Sequence, residues 1–138
     1  MWLGALSNRS DRETLCQDFT VPTGLVSARL SFYYLLSAYD NSEPAGDRDE
    51  FSVRITDRND EVIAEAALMT NADDNTVGKA SLPWPDRYDW YSYDLHKPQE
   101  LRAIDEAQGR LRICFELVTN ESGHLAVFLD NVGLQTCR

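Results

Sequence analysis

The chain has 138 residues, 13 of them basic and 23 acidic, giving a net charge of -10, and 43% of it is hydrophobic. That length can bury a core without obligatory metal or disulfide staples. The negative charge disfavours nucleic acid and anionic membranes, which would repel it, and no apolar stretch is long enough to span a bilayer, so membrane insertion of this domain is not expected.

The opening, Met1-Trp2-Leu3-Gly4-Ala5-Leu6, lacks the basic and long apolar regions of a signal peptide. Because it starts directly on apolar residues, residues 1–138 are expected to be a single domain excised from a longer protein. The run TLCQDFTVP (14–22) reads as a short strand stopped by Pro22 and a turn at Thr23-Gly24. In ARLSFYYLLSAY (28–39), Ala28, Leu30, Phe32, Tyr34 and Leu36 alternate with Arg29, Ser31, Tyr33, Leu35 and Ser37, and the aromatic content favours strand over helix. The polar stretch from Asp40 to Glu50 reads as an exposed loop. Phe51, Val53 and Ile55 alternate with polar residues, and Asp57-Arg58-Asn59-Asp60 turns the chain into EVIAEAALM as a hairpin. Residues 70–87 show no sustained period and read as a long loop with one short strand near Lys79 to Leu82. An aromatic strand, YDWYSYDL, follows and ends at Leu95. KPQELRAIDEAQ (97–108) is helical, with Pro98 in its first turn and Gly109 as its stop.

The last third holds two long strands, RLRICFELV and HLAVFLDNVGL, joined by a turn at Thr119 to Gly123 as a closing hairpin. In the first, Leu111, Ile113, Phe115 and Leu117 share a face. In the second, Ala126, Phe128, Val132 and Leu134 share a face with Asp130, which sets a carboxylate where a core residue belongs. A buried carboxylate needs hydrogen bonds or a cation. Seven or eight strands, one short helix and no βαβ alternation point to an all-β fold, a two-sheet antiparallel sandwich, with an up-and-down barrel as the less favoured alternative.

Cys16, Cys114 and Cys137 are too far apart in sequence for a zinc ribbon; the odd count leaves either one disulfide with a free thiol or three thiols. Asn8-Arg9-Ser10 and Asn120-Glu121-Ser122 fit the glycosylation sequon, a pattern that chance supplies readily. His96 and His124 stand singly, and no nucleophile elbow, phosphate loop or HExxH is present, so no enzymatic activity is expected. Among Trp84, Tyr88, Trp90, Tyr91 and Tyr93, exposed rings could stack on sugar faces. Trp84, between two prolines, is the ring most expected at the surface, and Trp84, Tyr88 and Tyr91 are the candidate ligand contacts. Trp90 and one of Tyr91 or Tyr93 are expected to pack in the core.

The order WLGAL, TLCQDFTVP, ARLSFYY, DEFSVRI, the Trp90 strand, GRLRICFEL and VFLDNVGL resembles the MAM-like and galactose-binding-like jelly-roll modules of bacterial cell-surface and secreted proteins, which are similar to carbohydrate-binding modules. The resemblance departs at WLGAL, where such modules often carry an earlier strand. It implies that the first and last strands lie side by side, bringing TLCQDFTVP to the end of DNVGLQTCR so that Cys16 and Cys137 form a disulfide and Cys114 stays a free, packed thiol. It also implies a structural calcium at Asp130, with Asp47, Asp49 and Asp18 as partners. The plain alternative is that Asp130 caps a bulge or binds backbone amides. The function so implied is a non-catalytic extracellular module that binds carbohydrate or a protein ligand at the cell surface, or else a structural or protein-interaction spacer.

Overall fold

The computed structural model describes residues 2–4, 11–38, 49–76, 79, 81–119 and 125–138. Asp47, His124, both sequons and the acidic loop up to Arg48 lie outside the described residues. The elements run β1 (Trp2–Gly4), β2 (Asp11–Thr20), β3 (Ser27–Ala38), β4 (Glu50–Asp57), β5 (Val62–Thr70), α1 (Trp84–Arg87), β6 (Asp89–Leu95), α2 (Pro98–Glu106), β7 (Arg110–Thr119) and β8 (Leu125–Cys137). The strands pair antiparallel in two sheets of four, a front sheet ordered β1-β8-β3-β6 and a back sheet ordered β2-β7-β4-β5. That pair of orders is a jelly roll, in which the chain passes between sheets and the first and last strands become neighbours.

The two inner faces follow the strand period. Ala28, Leu30, Phe32 and Leu36 of β3 face Leu111, Ile113, Phe115 and Leu117 of β7 and Phe51, Val53 and Ile55 of β4, all buried. Phe32 and Phe115 meet edge to face across the sandwich at 5.6 Å between centroids. The hairpin β4–β5 forms as the sequence indicates. Asp57 closes its turn by accepting the Asn59 and Glu61 N–H groups at 2.7 and 3.0 Å, while Asp60 takes a left-handed φ of 65°.

Helix α2 is fixed at both ends. The buried carboxylate of Glu100 accepts the Lys97 N–H at 3.1 Å and the Tyr93 hydroxyl at 2.8 Å. After the helix, Gly109 adopts φ 70°, and a Cβ there would lie 1.9 Å from the Val21 carbonyl oxygen, whose own N–H binds Gly109 O at 2.9 Å.

Four expectations are corrected. First, β7 and β8 do not pair as a hairpin: β7 lies between β2 and β4, and β8 between β1 and β3, in opposite sheets. A half-buried strand satisfies its apolar face equally well in either sheet, so alternation alone does not distinguish a hairpin from a crossing of the sandwich. Second, Cys16 does not bridge Cys137. The short β1, not TLCQDFTVP, is the strand beside β8. This moves the cysteine run into the back sheet, where Cys16 stands opposite Cys114 in the β2–β7 register and forms the disulfide, Cα to Cα 4.1 Å. Cys137 is the exposed free thiol.

Third, Asp130 is not on the core face. Leu125, Val127 and Leu129 point inward. The pairing of β3 with β8 then slips: Tyr33 stands opposite Asp130 but Ser31 opposite Gly133, so β8 spends one extra residue. Asn131, at φ 50°, absorbs it. The bulge leaves Asp130 and Asn131 both exposed and returns Val132 and Leu134 to the core. Fourth, among the described residues no strand forms near Lys79 to Leu82. The described residues there form turns, with Lys79 N–H on Thr76 O and Leu82 N–H on Lys79 O, leading into the single turn of α1.

Candidate functional site

The outer face of the front sheet is built from residues that the strand period turns away from the core. In β6 the sequence DWYSYDL places Tyr91, Tyr93 and Leu95 inward, so Trp90, Ser92 and Asp94 face out. The register sets Tyr33 between Trp90 on one side and Asp130 on the other. Trp90 is 52% exposed and Tyr33 37%, their rings meeting edge to face at 4.7 Å. The next row, Ser92, Ser31 and Gly133, has only small side chains, and a Cβ on Gly133 would meet nothing within 4 Å. Beyond it Arg29 pairs with Asp94 at 2.7 Å, and the Arg29 guanidinium holds the Asp94 carboxyl below its usual range.

The described residues between 70 and 87 dock at the β3 edge beside this face. Asn75 occupies the position of a missing strand partner: its Oδ1 accepts the Leu36 N–H at 2.8 Å, its N–H binds Leu36 O, and its Nδ2 donates to Tyr34 O and to Asp89. Lys79 adds an ion pair to Asp89 at 2.8 Å, and that hydrogen bond lowers the Asp89 pKa. These ties carry α1, preceded by Pro83 at φ -55°, which presents Trp84 at 58% exposure. The Arg87 guanidinium stacks over Trp84 at 4.5 Å and its Nε donates to Leu82 O at 2.8 Å, orienting the ring.

Tyr33, Trp84, Asp86, Tyr88, Asp130 and Asn131 thereby enclose a depression of about 790 Å³. Aromatic walls supply apolar contact, and two carboxylates and an amide supply acceptors and a donor, a composition suited to a small polyhydroxylated ligand. A second depression of about 760 Å³, between the β4–β5 turn and α2, is lined mainly by charged and small aliphatic side chains and holds no aromatic ring.

The predicted ligand residues divide. Trp84 and Tyr88 line the cleft, whereas Tyr91 stacks inward on Phe32 at 5.2 Å and donates its hydroxyl to Ala66 O, and burial raises its pKa. Trp90, expected in the core, is exposed. The three described residues of the predicted calcium set do not converge. Asp18 lies on the outer face of the back sheet, paired with Arg112 at 2.9 Å and Arg58 at 3.2 Å; the hydrogen bond from Arg112 lowers its pKa. Asp49 is fully buried and accepts the Leu125 N–H at 3.0 Å. Asp130 accepts the Asn131 N–H at 2.9 Å within the bulge. No group of three or more metal-ligating side chains occurs among the described residues.

Tyr33, Asp86 and Asn131 belong to the face without having been singled out as ligand contacts in the sequence, and Trp90, named in the aromatic group, was assigned to the core. The signal for Trp90 was the company it keeps: it shares its parity with Ser92 and Asp94, while Tyr91 and Tyr93 share theirs with Leu95.

No family model matches the chain, and no curated protein matches it. Among solved structures, it is similar to the carbohydrate-binding module TmCBM61 in complex with β-1,4-galactotriose, at 12% identity and a TM-score of 0.54 over 98% of this chain and 68% of that one. It also matches the enzymatically active domain of bacteriophage CBA120 tailspike protein 4, at 14% identity and a TM-score of 0.48, covering 91% of this chain and 14% of that one. The first likeness establishes the β-sandwich fold.

Proposed function

We propose that the protein is a non-catalytic carbohydrate-binding module of an extracellular protein, and that it holds a neutral glycan on the outer face of the front sheet. The observation that carries this reading is the convergence of exposed Trp84 and Tyr33 with Tyr88, Asp86, Asp130 and Asn131 around one cleft, with exposed Trp90 against Tyr33 beside it. Sugar rings present apolar C–H faces that pack on aromatic rings, and their hydroxyls need acceptors and donors at the rim, which is what these side chains supply. The net charge of -10 and the two cleft carboxylates work against uronate or sulfated glycans by like-charge repulsion. The module with galactotriose shares the architecture and supports the ligand class, and the Cys16–Cys114 disulfide is compatible with an oxidising compartment.

The test is a panel of neutral and acidic oligosaccharides titrated by calorimetry against the wild type and Trp84→Ala. Binding of a neutral member, weakened at least about tenfold in Trp84→Ala by loss of a stacking ring, supports the reading. Absence of binding across the panel, or equal binding in the variant, refutes it.

A further inference from the structure

Trp84 lines not one depression but two. On one side lies the cleft of about 790 Å³ with Asp86 and Asp130; the other, of about 290 Å³, contains Leu35, Lys79, Arg87 and Phe128. The two differ in chemistry. The first offers two carboxylates and can accept hydrogen bonds from hydroxyls. The second offers the cations Lys79 and Arg87 as donors, beside the Phe128 ring. Among the described residues the Lys79 ammonium uses two of its three donors, on Asp89 Oδ1 at 2.8 Å and on Arg87 O at 3.4 Å. Phe128 is held beside Leu35 by the β3–β8 register, so its position is set by the sheet.

Resting on the carbohydrate reading, we infer that the ligand is an internal stretch of a glycan chain that crosses Trp84 and fills both depressions, and that a terminal monosaccharide is not the recognised unit. Hydroxyls donate to carboxylates on one side of the tryptophan and accept from cations on the other. A single sugar reaches only one of these sets, so its binding forgoes the contacts of the other depression. Chain length, not end-group identity, then sets affinity.

The test titrates galactose and β-1,4-linked galactobiose, galactotriose and galactotetraose, with the cello-oligosaccharide series in parallel, against the wild type, Phe128→Ala and the more conservative Phe128→Leu. Melting curves confirm that each variant is folded. The expected result is an affinity that rises about tenfold or more from the monosaccharide to the trisaccharide, since a further ring contact and hydrogen bonds each contribute a sizeable part of one decade. Phe128→Ala, or Phe128→Leu should the first fail to fold, removes most of that rise, the loss being larger for the trisaccharide than for the monosaccharide. Monosaccharide binding within twofold of trisaccharide binding, or an equal loss at all lengths in the variants, overturns the inference while leaving the carbohydrate reading intact. No binding at any length in either series, nor to any member of the oligosaccharide panel, overturns both.

Discussion

Deletion of Asn131 offers a sharp test of how the site is made. Between the pairs Tyr33–Asp130 and Ser31–Gly133, β3 advances two residues and β8 three. Removing Asn131 equalises the count. Leu129, Val132 and Leu134 keep their inward positions, Asp130 and Gly133 remain outward, and the left-handed φ of 50° is relieved. Relief of that conformation and restoration of a ladder bond are each worth about 1 kcal/mol, and loss of local bulge contacts offsets them, so net stability changes by no more than about 1 kcal/mol. The melting midpoint should move by less than about 6 °C. Deletion of Leu129 also heals the count but puts Asp130 in the inward place. That costs the burial of a leucine, about 2 kcal/mol, and the desolvation of an unpaired carboxylate, several kcal/mol more. Urea unfolding of both variants measures the contrast, and calorimetry with the bound glycan should show the Asn131 deletion weakened about tenfold by loss of its amide and of the kink. A loss of more than about 3 kcal/mol on deleting Asn131 would refute the bulge as a local insertion.

The disulfide and the Tyr93–Glu100 pair give two further tests. The Cys16–Cys114 bridge spans 98 residues, so reduction should release up to about 4.7 kcal/mol in the loop-entropy account and lower the melting midpoint by on the order of 10 °C or more. Alkylation before reduction should label Cys137 alone; a peptide linking Cys16 to Cys137 would contradict the register. The hydrogen bond from Tyr93 to Glu100, with burial, pushes the tyrosine up to about 12 from an ordinary 10.0. Its raised folded-state value means that the contribution is complete below pH 10 and disappears as pH climbs toward 12. Tyr93→Phe should lose about 1 to 3 kcal/mol at neutral pH, because Glu100 is left short of a donor, and should flatten the alkaline fall. An unchanged alkaline profile would show the pair to be energetically silent.

The sandwich was legible because β3, β4 and β7 each carry an uninterrupted two-residue period, and α2 because Pro98 and Gly109 bracket it. Their pairing was less so. Whether β7 turns back on itself or crosses to the other sheet depends on long-range register, which alternation does not encode, and the three residues of β1 are too few to announce the strand that moves Cys16 to the back sheet. The site was half legible. Trp84 was marked by its flanking prolines, but Asp130 was assigned to the wrong face because the even-numbered residues of HLAVFLDNVGL look as apolar as Leu125, Val127 and Leu129. An Asp-Asn pair in mid-strand is a bulge signal in residues that tolerate left-handed φ. Given that signal, the misplaced carboxylate becomes a surface acceptor beside Tyr33.

The central claim is that a neutral glycan lies on the outer face of the front sheet. The most direct measurement is an amide and indole NMR titration with the best-binding member of a neutral glycan panel that includes β-1,4-galactotriose. The account predicts saturable shifts of the Trp84 and Trp90 indoles and of the Tyr33, Asp130 and Asn131 amides, with Arg112, Cys114 and the rest of the back sheet unmoved. Shifts confined to the back sheet or to the groove beside α2, or no shifts with any member, would contradict it.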